Sequence, residues 1–100
     1  MQSTALVVQL TLAKDCRDEF LAIVDQHAER SVRLEEGCLS FQVIVPEDSP
    51  DRVILVEVYR DKAALQAHWD SVHMADYRRR TGDMVRDRER VLGQLEVAYG

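Results

Sequence analysis

The sequence is short of several things that would announce a function. Its apolar runs are brief, as in Ala5 to Val8, and none approaches the ~20 residues of a membrane-crossing helix. Positive charge is in deficit, 13 Lys and Arg against 18 Asp and Glu, for a net charge of −5. A domain that reads nucleic acid through its phosphates carries the opposite excess. Only two cysteines occur, Cys16 and Cys38, without metal-ligand spacing, so they read as two reduced, partly buried thiols. The N-terminal residues lack a basic, cleavable leader pattern and read as a cytosolic start. There is no glycine-rich phosphate loop, no dinucleotide fingerprint and no nucleophile elbow. The three histidines form no HxH, HxxxH or HExxH spacing, and no metal or other cofactor is expected. One hundred residues exclude a TIM barrel or a two-domain dinucleotide enzyme.

What is present is the composition of a packed domain, 46% hydrophobic. Residues 4–12 read as a strand, with Leu6, Val8, Leu10 and Leu12 on one face. Asp15 reads as the N-cap of a helix running to about Glu36, with Gly37 as its C′ residue. Residues 38–45 and 51–59 form a hairpin around the turn-rich 46–50. Asp61 caps a short helix through Trp69. A further helical stretch starts near Ser71 and fades around Arg88, with a break possible at Gly82, and residues 91–99 form the last strand. The order β-α-β-β-α-β is the ferredoxin-like α+β arrangement: a four-stranded antiparallel sheet with helices on one face, here one domain over 4–99.

If Val8, Phe41, Leu55 and Leu95 face the helices, the other face shows Val7, Ile44, Ile54, Val56, Val58 and Leu92. A solvated sheet face alternates polar residues outward, and this one does not. An uncovered apolar face marks an interface, so two copies are expected to pack sheet to sheet as a homodimer.

Chemistry rests on few residues. His27 and Ser31 lie one turn apart on the inward stripe of the first helix, where packing alone favours Leu or Val. They are read either as a buried histidine bonded to a strand or as a pocket wall. His68 follows the inward face of the short second helix. His73 lies ~140° further round a continuous helix, so the two converge only if the chain bends near Asp70-Ser71. Glu57 interrupts an apolar strand and must be paired or have a raised pKa. Either Tyr59 and a histidine join it, or an arginine such as Arg52 or one of Arg78–Arg80 does. Arg78 to Arg90 mixes six arginines with three acids and reads as a solvated helical face, or alternatively as a basic rim that draws an anionic ligand.

Three stretches together carry a family resemblance: Glu35-Glu-Gly-Cys-Leu-Ser-Phe41, Glu57-Val-Tyr-Arg-Asp61, and Ala64-Leu-Gln-Ala-His-Trp-Asp-Ser-Val-His73. They resemble the antibiotic biosynthesis monooxygenase domain family over residues 4–99. The resemblance implies a dimeric α/β-barrel formed by sheet packing and a pocket between sheet and helices. It also implies cofactor-independent oxygenation of a quinol, phenol or polycyclic aromatic, with dioxygen as co-substrate. Carried over by position, His68, His27 and Glu57 would be catalytic, and Ser31, Phe41, Tyr59, Trp69 and His73 would bind substrate. An isomerase of a phosphorylated hydroxy-dione signal is the neighbouring possibility, although Gln42 stands where that branch has Asp, and Met74 replaces a common aromatic. A haem-degrading role would need an Asn, and the sequence has none. A small-ligand-binding module without chemistry is the remaining reading.

Overall fold

The computed structural model describes residues 2–100. Four strands, β1 (Thr4–Leu12), β2 (Cys38–Ile44), β3 (Arg52–Tyr59) and β4 (Val85–Gln94), form one sheet in the order β2-β3-β1-β4. Every neighbouring pair is antiparallel. Three helices, α1 (Arg17–Leu34), α2 (Lys62–Trp69) and α3 (Val72–Thr81), complete the chain. This is the ferredoxin-like α+β fold.

Alternation along β1 and β3 sets the layers. Leu6, Val8, Leu10, Leu12, Val53 and Leu55 are buried and pack with Phe20, Ile23 and Val24 of α1, Leu65 of α2 and Tyr77 of α3. The intervening positions, Val7, Ile54, Val56 and Val58, lie on the opposite face and are only half-buried. Ile44 pairs with Ile54 on that same face. Among the described residues no helix is long and apolar enough to cross a membrane.

The first helix starts later than its sequence suggests. Asp15 is not the cap; it takes a left-handed conformation (φ 65°) in the turn before the helix, and Cys16 occupies the N-cap position without a side-chain bond. Aspartate tolerates that region better than most residues, which is why a turn claims it here. At the other end Glu35 is the C-cap, in extended conformation. Gly37 has no positive φ. It is required for another reason: a Cβ there would fall on the Cβ of Ala64 in α2, well inside van der Waals contact.

The larger correction concerns the C-terminal third. The third helix ends at Thr81, not near Arg88, and the last strand is Val85–Gln94, not 91–99. Arg, Glu and Asp at helical spacing are a weak preference, and a full-length ladder with β1 overrides it. The ladder's register puts Val91 opposite Val7 on the open face, and Leu92 opposite Leu6 on the helix-covered face. Both expected placements therefore fail: Leu92 leaves the open face, and Leu95 lies beyond the strand, its N–H bonded to the Ser3 carbonyl at 2.8 Å.

Candidate active site

Three helix termini and the middle of β3 bring the titratable groups together. His27 and Ser31 are both buried on α1. Ser31 spends its hydroxyl locally, donating to the His27 carbonyl at 2.7 Å, and it does not line the cavity between sheet and helices. The His27 ring stacks on Tyr77 with centroids 4.3 Å apart and meets the Phe41 ring edge-on at 5.5 Å. Its Nδ1 is buried without a partner.

The bend needed to unite His68 and His73 is present. Asp61 caps α2 by accepting from the Ala64 N–H at 2.8 Å. Ser71 then serves both neighbouring helices: its hydroxyl donates to the His68 carbonyl at 2.7 Å and accepts from the Met74 N–H at 3.1 Å. The turn between them directs both imidazoles at one oxygen of Glu35, His68 through Nδ1 at 2.8 Å and His73 through Nε2. On the other side of His68, Nε2 lies 3.9 Å from Oε1 of Glu57. That same oxygen accepts the Tyr59 hydroxyl at 2.5 Å. The chain of contacts is thus Tyr59, Glu57, His68, Glu35, His73. Glu57 takes no arginine: Arg52 bonds Gln9 instead, at 2.7 Å.

Burial decides the charges. It pushes the Glu57 carboxyl up to about 7, against the opposing pull of the Tyr59 hydroxyl. It lowers His27 to about 3, helped by the neighbouring His68 and His73. His68 is also lowered by burial, with the Glu35 hydrogen bond working the other way. At neutral pH His68 is therefore uncharged. Because Glu35 accepts at Nδ1, the proton sits there and the lone pair of Nε2 faces Glu57 and the cavity.

The cavity measures about 490 Å³, within the range of small-molecule sites. Leu6, Val8 and Leu55 line it from the sheet together with Phe41 and Glu57, and His27, His68, Trp69 and Tyr77 line it from the helices. Tyr59 and His73 do not line it and stand behind Glu57 and Glu35. Glu35, His68 and His73 also form the grouping among the described residues able to hold a metal ion, with one ligand atom each, all within 4.8 Å of one another. Two imidazoles and a carboxylate suit a divalent transition ion. Histidine spacing does not reveal this set, because its third member closes α1.

Sequence reasoning missed Glu35 as a site residue, although it lies in the motif quoted above. It also missed Tyr77 as a cavity wall, and it offered the Arg78 to Arg90 stretch as a basic rim only as the alternative to a solvated helical face; Arg78, Arg88 and Arg90 do line the cavity. For the arginines a signal existed: 86, 88 and 90 alternate with Asp87 and Glu89, which is the period of a strand.

The sequence profile described as antibiotic biosynthesis monooxygenase matches residues 4–80. The chain belongs to that family. Within the antibiotic biosynthesis monooxygenase family, a Mycobacterium tuberculosis protein named "Putative monooxygenase Rv0793" is 28% identical over 81 residues, 81% of this chain and 78% of the relative. The uncharacterized protein sll1783 of Synechocystis is 28% identical over 71 residues, 71% of this chain, and the alignment spans about half of that relative (48%). Among solved structures, one described as a putative antibiotic biosynthesis monooxygenase from Nitrosomonas europaea superposes with a TM-score of 0.92 at 23% identity, over 99% of this chain and 95% of the other. Another so described, from Bacteroides thetaiotaomicron, gives 0.89 at 25% identity over 96% and 91%. The profile match ends before β4 begins.

Proposed function

We propose that the protein is a monooxygenase of a quinol, phenol or polycyclic aromatic, started by proton abstraction at His68 and needing no cofactor. The supporting observation is the His68–Glu57 pair, 3.9 Å apart on the wall of a cavity also lined by Leu6, Val8, Leu10, Leu55 and Phe41. A substrate hydroxyl set against that pair would lose its proton to Nε2 of the neutral His68. Glu35 fixes the tautomer and steadies the imidazolium that results, and His73 holds Glu35. The substrate anion is electron-rich enough to reduce dioxygen directly. For a hydroquinone the balance closes: the ring plus O2 gives a hydroxybenzoquinone plus water. One oxygen atom enters the ring, the other leaves as water, and the substrate supplies all four electrons.

The test is oxygen uptake with a hydroquinone, in chelator-treated buffer without flavin. We expect consumption of one O2 per hydroxyquinone formed. Catalysed rearrangement of a phosphorylated hydroxy-dione without O2 uptake would instead indicate the isomerase, which can use the same base.

We further propose that residues 4–99 act as one unit, in the cytoplasm, as a homodimer. The two free thiols accord with a reducing compartment. Val7, Ile54, Val56, Val58 and Val91 share the face that no helix covers, and Val91 is 64% exposed. Light scattering at micromolar concentration should give twice the chain mass, and Val56→Glu should give one. A wild-type mass of one chain would remove the dimer.

A further inference from the structure

The arginines of β4 face the cavity. Arg88 and Arg90 stand opposite Leu10 and Val8 of β1, so they share the helix-covered face of the sheet, while Asp87 and Glu89 point to the open face. With Arg78 of α3, they line the cavity as its exposed rim, around Trp69. The Arg90 guanidinium carbon lies 6.0 Å from the centre of the Trp69 ring, a cation–π placement that holds it at the opening. Arg78 donates to the Trp69 carbonyl at 3.1 Å.

The rim cations are free of carboxylate partners, as Arg17, Arg52 and Arg86 also are among the described residues, but of these six only Arg78, Arg88 and Arg90 line the cavity beside Trp69. Arg30, Arg33, Arg60, Arg79 and Arg80 each sit against a carboxylate. Among the described residues neither Arg88 nor Arg90 has a salt-bridge partner. Asp70 is the only acid on the cavity wall besides Glu57, and Glu57 is part of the inner network. In a chain of net charge −5, unpaired guanidiniums on one rim create a local positive field that the rest of the surface opposes. Two strand positions apart on one face, the Arg88 and Arg90 stems are separated by roughly 7 Å. That separation lets two planar forks converge on one oxyanion, the geometry in which arginine excels.

We propose that this rim is a recognition site for an anionic substituent, a carboxylate or phosphate, on a substrate whose aromatic body fills the cavity and whose hydroxyl reaches His68. The assignment rests on the reading that the cavity is the substrate site, and it narrows the substrate from any phenol to an anionic one. The paired oxyanion would replace solvent around Arg88 and Arg90, and the ring would lie beside Trp69. The rim thereby sets orientation, since only one end of such a molecule can face the arginines.

Binding, not turnover, tests this. Four probes are titrated by calorimetry at low salt: 4-hydroxybenzoate, its neutral isostere 4-hydroxybenzamide, phenyl phosphate and inorganic phosphate. Quenching of Trp69, the sole tryptophan, reports arrival at the rim. We expect 4-hydroxybenzoate or phenyl phosphate to bind at least tenfold more tightly than the amide, and the stronger of the two names the anion. Inorganic phosphate alone should bind more weakly than either. The double variant R88Q/R90Q should reduce the anions to the affinity of the amide and leave the amide unchanged. Arg86→Gln removes a charge from the same strand at a residue that does not line this cavity, and it should preserve the ratio. The proposal is overturned if the amide binds as tightly as both anions, if the preference survives R88Q/R90Q, if R86Q abolishes it equally, or if no probe binds at millimolar concentration. Because no chemistry is read, failure of oxygen uptake would remove the oxygenase while leaving an anion preference intact. Oxygen uptake without that preference would do the reverse.

Discussion

Replacing His68 with alanine is expected to lower kcat with a hydroquinone by about 10²- to 10⁴-fold, the span general-base catalysis contributes. His68 is the one imidazole whose free nitrogen faces both Glu57 and the cavity, its other nitrogen being held by Glu35 at 2.8 Å. His68→Gln keeps a polar group of similar reach but no base, and it should lose as much activity with less disturbance of packing. Circular dichroism of both variants separates a lost base from a lost fold. The pH profile gives a second check. Burial lowers the His68 pKa below its ordinary 6.5, so the base stays unprotonated, and the acid limb of kcat/KM should fall on the acid side of that value. A variant without His68 that turns over at the native rate would refute the assignment.

Gly37→Ala is expected to lose about 1–3 kcal/mol of stability, as overpacking does in a close-packed site. In a domain of this size each kcal/mol shifts Tm by about 4–8 °C. The obstacle is Ala64 Cβ, the stub of a side chain on α2, which has no rotamer to yield. Relief requires α2 to move away from the start of β2, and α2 carries His68. The Arg60 N–H, bonded to the Gly37 carbonyl at 2.8 Å, ties the same point to the end of β3. Thermal melting measures the loss, and A64G placed on G37A should recover part of it. A second-site glycine that recovers nothing would show that the clash is not with Ala64.

Much of this was readable from period and caps. The period of β1 and β3 marked them as strands, though both their faces are apolar and did not say which one faces inward, and Asp61 announced α2. The odd polar residues of apolar stripes, His27, His68 and Glu57, stood out because burying such groups costs free energy, and all three are buried and line the cavity. For Glu57 the strand offered Tyr59 on its own face and an arginine from elsewhere as equal partners, and the structure takes Tyr59. What failed did so for definite reasons. Arg86 to Arg90 fit a helix as well as an edge strand until β1 is available as a partner, and that moved Leu92 across the sheet. Ser31 looked like a pocket residue because its spacing from His27 is one turn, and that same spacing lets its hydroxyl fold back onto the helix. Glu35 was invisible as a site residue because its partners lie more than 30 positions away (His68 and His73).

The valine-rich side of the sheet and the histidine-walled chamber lie on opposite surfaces of one thin layer. Two molecules joined through the valines would hold their chambers back to back, each opening away from the seam. An effect of filling one chamber would reach the other by way of the strands between them. Saturation of such a pair should follow a simple hyperbola, as two independent vessels fill.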